Sequence, residues 1–263
     1  IPKPNPKYAN IASIVEWANT CTDLDLLEAC AAEAHQHFTP SSNDAHSWEP
    51  APRTIRDILK MPDGMVKSAW LASVRKELKT LVDAHTFIID SMLDGEISIP
   101  VMEIFKVKIL SDGSLDKLKC RLVVRGDLMI KLNMEDKWSP TASFRALKIF
   151  LAHAAKLKVR VKQLDFVGAF LQAKTRSRIF VTIPQIFGVL FPEYSEYCGK
   201  PVRLGMSMYG TTLSGKYWYL ELQEYLLEIG FKASENMQCL FIQHNNDGSK
   251  IYLLNYVDDM LYY

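Results

Sequence analysis

Two short segments end an apolar, strand-like run with aspartate. Residues 163–171 read Gln-Leu-Asp-Phe-Val-Gly-Ala-Phe-Leu around Asp165, and residues 255–262 read Asn-Tyr-Val-Asp-Asp-Met-Leu-Tyr around Asp258 and Asp259. The flanking residues are apolar and are expected to be buried, so the carboxylates are expected to be at least half-buried as well. Carboxylates in such places repel one another and lose hydration, and they persist mainly when a cation neutralises them.

Three carboxylates that converge from two neighbouring strands would form a set of oxygen ligands suited to Mg²⁺. Two Mg²⁺ ions about 3.5–4 Å apart activate the attacking oxygen and stabilise the leaving oxygen of an in-line phosphoryl transfer, which is the chemistry of a polymerase. The alternative for Asp258-Asp259 is a turn, because aspartate favours turns and a strand pattern resumes after it. The second strand-end aspartate, Asp165, favours the metal site.

Charge is balanced over the whole chain but uneven along it. Lys+Arg number 31 and Asp+Glu number 30, for a formal net charge of +1. Residues 1–52 carry two basic and seven acidic side chains, whereas residues 103–163 carry fourteen basic and six acidic ones. A basic block of this kind suggests an anionic partner, most often nucleic acid. The alternative is that these lysines and arginines only form solvated surface.

The composition is that of a globular protein. The 263 residues are 48% hydrophobic and 23% charged, which excludes a disordered tail, a collagen-like rod and a mini-protein. No apolar run reaches the roughly 18–20 residues that span a bilayer, and no signal-peptide pattern opens the chain, so membrane insertion and export are not expected. The cysteines never form a C-x-x-C motif and are predicted to be core residues in a reducing compartment, without zinc. They are Cys21, Cys30, Cys120, Cys198 and Cys239.

The spacing of apolar residues predicts the elements that position the aspartates. It indicates helices over residues 25–37, 68–81, 144–158 and 216–231, with Gly230 as the stop signal of the last one. It also indicates a hairpin over residues 104–124, a strand over residues 159–166 that ends at Asp165, and a second hairpin over residues 239–257 that leads into Asp258-Asp259.

The order and spacing of these pieces resemble the reverse transcriptase of copia-type LTR retrotransposons and, at a distance, that of retroviruses. The resemblance covers about residues 49–263 and rests on eight short pieces that are weak singly and specific together. They are Glu49-Pro50 with the Trp70 helix, Lys119-Cys120-Arg121-Leu122-Val123-Val124-Arg125-Gly126, Trp138-Ser139-Pro140-Thr141-Ala142, the 163–171 strand, Tyr209-Gly210, Lys216-Tyr217-Trp218-Tyr219, Gly230-Phe231 and Tyr256-Val257-Asp258-Asp259.

The resemblance implies a metal-dependent active site. Asp165, Asp258 and Asp259 would be the catalytic aspartates and metal ligands, with Asp165 and Asp258 bridging the metals and the Phe166 carbonyl as a further ligand. The implied ion is Mg²⁺, with Mn²⁺ as an alternative. The implied reaction is RNA-directed DNA synthesis, in which a primer 3′-hydroxyl attacks the α-phosphate of a dNTP.

The resemblance also implies a nucleotide-binding site. Lys119 and Arg121 match a basic pair that grips the incoming triphosphate, a natural use of charge-assisted contacts. The alternative is that both are solvated charges on the hairpin. Phe170 matches an aromatic gate that would clash with a ribose 2′-hydroxyl and so select deoxynucleotides. The alternative for Phe170 is a core aromatic.

The architecture implied is an α+β right-hand polymerase with fingers and palm, an antiparallel sheet, and truncation before the thumb. We expect an acidic, Pro-rich leader over residues 1–52, fingers over 53–138 and an incomplete palm over 139–263. The implied partners are an RNA or DNA template with its primer, a dNTP, and the remainder of the Pol polyprotein with its thumb and RNase H domain, without a membrane. The implied location is intracellular, in a cytoplasmic particle or the nucleus.

Two positions depart from the family pattern. Leu213 stands where the family has a Gln that helps to hold the nucleotide against the template, and an apolar side chain cannot make that hydrogen bond. Glu103 stands where the family commonly has Trp. The alternative function is therefore a truncated or decayed element fragment that is catalytically inactive and at most binds nucleic acid.

Overall fold

The computed structural model describes residues 50–129 and 137–263. These residues divide into two compact units, of which one holds residues 50–107 and 118–263 and the other holds the hairpin tip, residues 108–117. The helix predicted over residues 25–37, Cys21 and Cys30 lie outside the described residues.

Five α-helices occur in the described part of the chain. They are α1 (Ile55–Lys60), α2 (Met65–Asp83), α3 (Phe144–Leu157), α4 (Gln185–Leu190) and α5 (Ser214–Glu228). The Ser143 hydroxyl accepts a hydrogen bond from the Ala146 N–H and so caps α3. The chain turns away after α5 at Gly230, whose φ of +95° is a left-handed conformation that glycine adopts readily.

Within residues 50–129 and 137–263, ten strands form two five-stranded sheets. In chain order they are β1 (Phe87–Ile88), β2 (Ser98–Ile109), β3 (Leu115–Val124), β4 (Lys162–Asp165), β5 (Phe180–Thr182), β6 (Pro201–Leu204), β7 (Phe231–Ala233), β8 (Leu240–His244), β9 (Lys250–Tyr256) and β10 (Asp259–Tyr262).

The first sheet has the strand order β1-β6-β5-β2-β3. Its β2 and β5 are parallel, with Ser98 opposite Phe180, and its β1–β6 and β5–β6 pairs are antiparallel. The long hairpin strands β2 and β3 therefore form one side of a sheet whose other strands are β1, before the hairpin, and β5 and β6, after it.

The second sheet has the order β4-β10-β9-β8-β7 and is antiparallel throughout. Helix α5 packs on one face, where the Trp218 ring meets the Phe166 ring edge-on at 5.0 Å. Helix α3 packs on the other face, where Phe150 is buried in a cluster with Leu254. Because successive strand residues face opposite sides, Leu253 and Leu254 of β9 are both buried, one under each helix.

Most of the predicted elements are confirmed. Helices predicted over residues 68–81, 144–158 and 216–231 correspond to α2, α3 and α5, and both hairpins form. The strand predicted over residues 159–166 is too long, because Lys158 ends α3 with a φ of +57° and pairing begins only at Lys162. The predicted α+β class with antiparallel pairing is confirmed at this level of detail.

The three cysteines in the described residues are confirmed as core residues. Cys120, Cys198 and Cys239 are buried free thiols, and burial raises the pKa of each one. They are therefore protonated and unreactive at neutral pH. In residues 50–129 and 137–263, no helix has the length and apolar character that crossing a bilayer requires.

Candidate active site

The predicted catalytic aspartates meet at one end of the second sheet. In the register of β4 and β10, Asp165 lies directly opposite Asp259. On the other side of β10, Asp259 lies opposite Tyr256 of β9. Residues that lie opposite one another on antiparallel strands project from the same face, so Asp165, Asp259 and Tyr256 share one face of the sheet.

Asp258 lies in the two-residue turn that joins β9 to β10. The other turn residue, Val257, has a φ of +58°, which is a strained conformation for a β-branched side chain. Two hydrogen bonds hold the turn: the Trp218 indole N–H donates to the Val257 carbonyl at 2.6 Å, and the Phe166 N–H donates to the Asp258 carbonyl at 2.9 Å. The backbone of Asp258 is therefore tied to the strand end that carries Asp165.

The expected burial of the carboxylates is wrong, although the expected burial of their apolar neighbours is mostly right. Leu164, Phe166 and Met260 are buried, whereas all three aspartates are exposed. The reason is that α3 covers the aspartate face of the sheet further along the strands, around Leu254, and leaves this end open.

The aspartates nevertheless affect one another electrostatically. Partial burial and the charges of Asp258 and Asp259 raise the pKa of Asp165, whereas Lys119 acts to lower it. Like charges in register on neighbouring strands are unfavourable unless a cation offsets them. The structure thus brings Asp165, Asp258 and Asp259 together, with Lys119 of β3 within electrostatic reach.

The donor set fits a hard divalent cation chemically, because it consists of anionic oxygens that repel one another. Among the residues that the structure describes, no group of three or more His, Cys, Asp and Glu side chains is arranged to hold a metal ion as it stands. The Gln163 amide donates to Asp259 Oδ1 at 3.1 Å. The three aspartate side chains would therefore have to rotate to coordinate an ion, and their exposure leaves them room to do so.

Arg121, the second residue of the predicted basic pair, is held on two sides. Its Nη1 donates to Glu77 Oε2 at 3.0 Å, and its Cζ lies 4.6 Å from the centre of the Tyr209 ring. The Glu77 side chain is 5% exposed and that of Arg121 is 30% exposed. Arg121 is thus an anchored guanidinium with part of its surface open, and not the fully solvated hairpin charge of the alternative.

Phe170, the predicted gate, lies on a short 3₁₀ helix, Ala169–Gln172, which begins after Gly168 in a left-handed conformation. Ala169 and Leu171 are buried, whereas Phe170 is half-buried and meets the Tyr209 ring at 5.4 Å and 62°. The Phe170 ring is therefore covered in part by Tyr209 and open in part to solvent.

The structural roles of several residues were not predicted. Glu77 is buried on the apolar stripe of α2, three residues after Val74, and a charged residue on such a stripe was the available signal. Glu103, which departs from the family pattern, accepts the Ile55 N–H at 2.9 Å and satisfies the start of α1. Leu213, the other departure, is buried immediately before α5. The roles of Tyr209 and Trp218 depend on contacts that spacing does not show.

Comparison with known proteins bears directly on this site. A family model described as "Reverse transcriptase (RNA-dependent DNA polymerase)" matches residues 84–263, which include all three aspartates and both residues of the basic pair. The chain belongs to the reverse transcriptase family.

The similar proteins include polyproteins of mobile elements from plants and yeast. The Retrovirus-related Pol polyprotein from transposon RE1 of Arabidopsis thaliana is 30% identical over 215 residues, 81% of this chain and 14% of the relative. That from transposon TNT 1-94 of Nicotiana tabacum is 26% identical over 211 residues, 80% of this chain and 15% of the relative. The Truncated transposon Ty1-A Gag-Pol polyprotein of Saccharomyces cerevisiae is 25% identical over 240 residues, 89% of this chain and 19% of the relative.

These matches confirm the predicted copia-type retrotransposon reverse transcriptase. This member of the family spans less than a fifth of the length of the relatives named here. The match begins within the predicted fingers segment and runs through the predicted palm segment.

Proposed function

We propose that this chain catalyses RNA-directed DNA synthesis. The reaction transfers a deoxynucleotidyl group from a dNTP to a primer 3′-hydroxyl: a bond forms between that oxygen and the α-phosphorus, and pyrophosphate leaves. The observation that carries the proposal is the register of Asp165 opposite Asp259, with the Asp258 carbonyl bonded to the Phe166 N–H. This register gathers three carboxylates at one open sheet end in a chain of the reverse transcriptase family.

Asp165, Asp258 and Asp259 are the proposed catalytic residues and the proposed ligands of Mg²⁺ or Mn²⁺, together with the Phe166 carbonyl. When bound, the metal supplies positive charge to the attacking and leaving oxygens. The protein's own part is to hold the carboxylates: the β4–β10 ladder fixes Asp165 against Asp259, and the Trp218 and Phe166 N–H groups fix the turn of Asp258.

Lys119 and Arg121 are the proposed contacts for the triphosphate. They stand two residues apart on β3 and therefore on the same face, and Lys119 lies within electrostatic reach of Asp165. An anionic ligand between the basic pair and the metal would be stabilised from both sides. Phe170 is the proposed gate against a ribose 2′-hydroxyl, and its place beside Tyr209, which also contacts Arg121, supports this role.

In this proposal the α+β fold is a right-hand polymerase, with fingers over residues 53–138, a palm over 139–263 and a leader over 1–52. The second sheet, which carries the three aspartates, is the palm sheet. Strands β5 and β6, from the palm range, complete the sheet of the fingers hairpin. The proposed partners are a primed RNA or DNA template, a dNTP, and the thumb and RNase H parts of a Pol polyprotein.

Primer extension tests the function. The chain is incubated with an oligo(dT)-primed poly(rA) template, dTTP and Mg²⁺, and the controls are the addition of EDTA and the omission of the template. We expect extension that depends on template and metal. A decayed fragment that only binds nucleic acid would instead show salt-sensitive retention of the template that is indifferent to EDTA, with no extension. That result would contradict the proposal.

A further inference from the structure

The Tyr209 ring lies between two side chains that the proposed function assigns to the nucleotide. The guanidinium of Arg121 lies over the ring, with Cζ 4.6 Å from its centre. The Phe170 ring meets the same ring at 5.4 Å in an edge-to-face arrangement. Both contacts have the geometry in which aromatic rings attract cations and other rings.

The backbone of Tyr209 is fixed against β3, the strand that carries Arg121. The Val124 N–H donates to the Tyr209 carbonyl at 2.8 Å. The next residue, Gly210, has a φ of +89°, and a Cβ there would lie 2.1 Å from the Val124 carbonyl oxygen. A Cβ on Gly126 would likewise lie 1.9 Å from the Gly210 carbonyl oxygen. The two glycines let two segments of the backbone, residues 124–126 and 209–210, approach closely, and this approach fixes the position of Tyr209 relative to β3.

Arg121 is restrained from the opposite direction by Glu77. The Glu77 carboxylate accepts from Arg121 Nη1 at 3.0 Å and from the Leu122 N–H at 3.3 Å, and it is almost completely buried. The guanidinium is therefore held between a carboxylate and an aromatic face, while 30% of the side chain remains exposed to a ligand.

The charges around Tyr209 agree with a position between the basic pair and the aspartates. Burial raises the pKa of the Tyr209 phenol, and Glu77, Asp258 and Asp165 raise this pKa further, whereas Arg121 acts to lower it. The charges of the Arg121–Glu77 pair and of the aspartates thus both act on the Tyr209 phenol.

We propose that Tyr209 is a positioning residue that couples the grip on the triphosphate to the choice of sugar. The inference rests on the proposed function, because it takes Arg121 as a triphosphate contact and Phe170 as the gate. One ring sets the separation of these two groups, so a nucleotide whose phosphates are held by Arg121 presents its 2′ position to Phe170 at a fixed distance. Loss of the ring would therefore change affinity and sugar discrimination together.

The test compares dATP with ATP in two measurements. The first is binding, by titration calorimetry with Mg²⁺. The second is kcat/KM for incorporation on a primed template in which a run of uridines follows the primer. Tyr209→Phe keeps the ring and Tyr209→Leu removes it. Tyr219→Leu is the control, because Tyr219 is a buried tyrosine, whereas Tyr209 is half-buried, and because its ring packs on Phe241 of the second sheet, away from Arg121 and Phe170. All variants are used as the full chain, after circular dichroism has shown that they are folded.

We expect Tyr209→Phe to resemble the wild type. In Tyr209→Leu we expect dATP affinity to fall about five- to thirtyfold and the preference for dATP over ATP to fall by a similar factor. In Tyr219→Leu the preference should be unchanged. A folded Tyr209→Leu that keeps the wild-type preference would overturn the inference, even if it bound both nucleotides more weakly.

A second measurement leaves Tyr209 in place and covers the case in which Tyr209→Leu does not fold. The effects of Arg121→Met and Phe170→Leu on the dATP preference are measured singly and together, and coupling through Tyr209 predicts that they are not additive. Additive effects would contradict the coupling. Binding of dATP by the wild type without incorporation would instead defeat the proposed polymerase activity alone, and the binding preference would still test Tyr209.

Discussion

Asp165 of β4 and Asp259 of β10 lie directly opposite one another across an antiparallel ladder, with both side chains on the same open face. Two like charges in this relationship oppose folding, and Asp258 in the adjoining turn adds a third. Partial burial raises the pKa of Asp165, and the charges of Asp258 and Asp259 raise it further. The sheet end thus carries an electrostatic cost, which is the pattern expected where a site is built for a cation.

The first prediction concerns stability and pH. The pKa of Asp165 is higher in the folded chain than in the unfolded chain. The free energy of unfolding therefore falls as pH rises from the ordinary pKa of an aspartate to the raised pKa of Asp165, and stays lower above it. Asp165→Asn should therefore raise Tm at pH 7 in EDTA, by about 1–2 °C, and the gain should shrink as the pH is lowered towards 4. Differential scanning calorimetry at several pH values measures this.

Asp247→Asn is the control for that series. The pKa of Asp247 is lowered by hydrogen bonds from Ser249, so its ionised form stabilises the fold, and its removal should leave Tm equal or lower at pH 7. A fall in Tm for Asp165→Asn at pH 7 would show that the three carboxylates do not repel one another as described.

The second prediction concerns the indole that holds the turn of Asp258. Trp218→Phe removes the N–H that donates to the Val257 carbonyl and loses ring volume, whereas Trp70→Phe loses the same volume from an equally buried tryptophan whose N–H has no hydrogen-bond partner. Urea denaturation should show Trp218→Phe to cost about 1 kcal/mol more than Trp70→Phe. Equal costs, or a larger cost for Trp70→Phe, would mean that this hydrogen bond does not stabilise the turn.

The third prediction concerns the close approach of the chain at Gly210. Gly210→Ala adds a Cβ that would lie 2.1 Å from the Val124 carbonyl oxygen, whereas Gly248→Ala adds one at a similar φ with nothing within 4 Å. The left-handed backbone should lower the free energy of unfolding of both variants by about 1 kcal/mol, and the close contact should lower that of Gly210→Ala by at least about 2 kcal/mol more. Urea denaturation of both variants measures the difference. Similar losses would show that the backbones of β3 and Tyr209-Gly210 are not in such close contact.

The long helices and strands with regularly spaced apolar residues could be predicted from the sequence. Helix α2 and the β2–β3 hairpin were predictable because their apolar residues repeat at helical or alternating spacing over ten residues or more. Strands β1, β5 and β6 were not predictable, because runs of two to four residues show no periodicity and their pairing partners lie elsewhere in the chain. The start of β4 depended on the left-handed backbone of Lys158, which no glycine marks.

The candidate site likewise has residues that the sequence identifies and contacts that it does not show. Asp165, Asp258 and Asp259 could be identified because acidic residues interrupt apolar runs, but their exposure depended on where α3 ends its cover of the sheet. The contacts of Arg121 with Glu77 and Tyr209 join three distant segments, and no local pattern encodes such contacts.

Single-nucleotide incorporation by aspartate variants shows whether Asp165, Asp258 and Asp259 catalyse DNA synthesis. The full chain is given a primed RNA template, one complementary dNTP and Mg²⁺, and Asp165→Asn, Asp258→Asn and Asp259→Asn are compared with Asp247→Asn, a carboxylate in the β8–β9 turn. We expect incorporation by the wild type and Asp247→Asn, and a loss of at least about a hundredfold in Asp165→Asn, Asp258→Asn and Asp259→Asn. Wild-type rates in any of these three variants, or no incorporation by the wild-type chain, would show that the three aspartates do not form a polymerase active site.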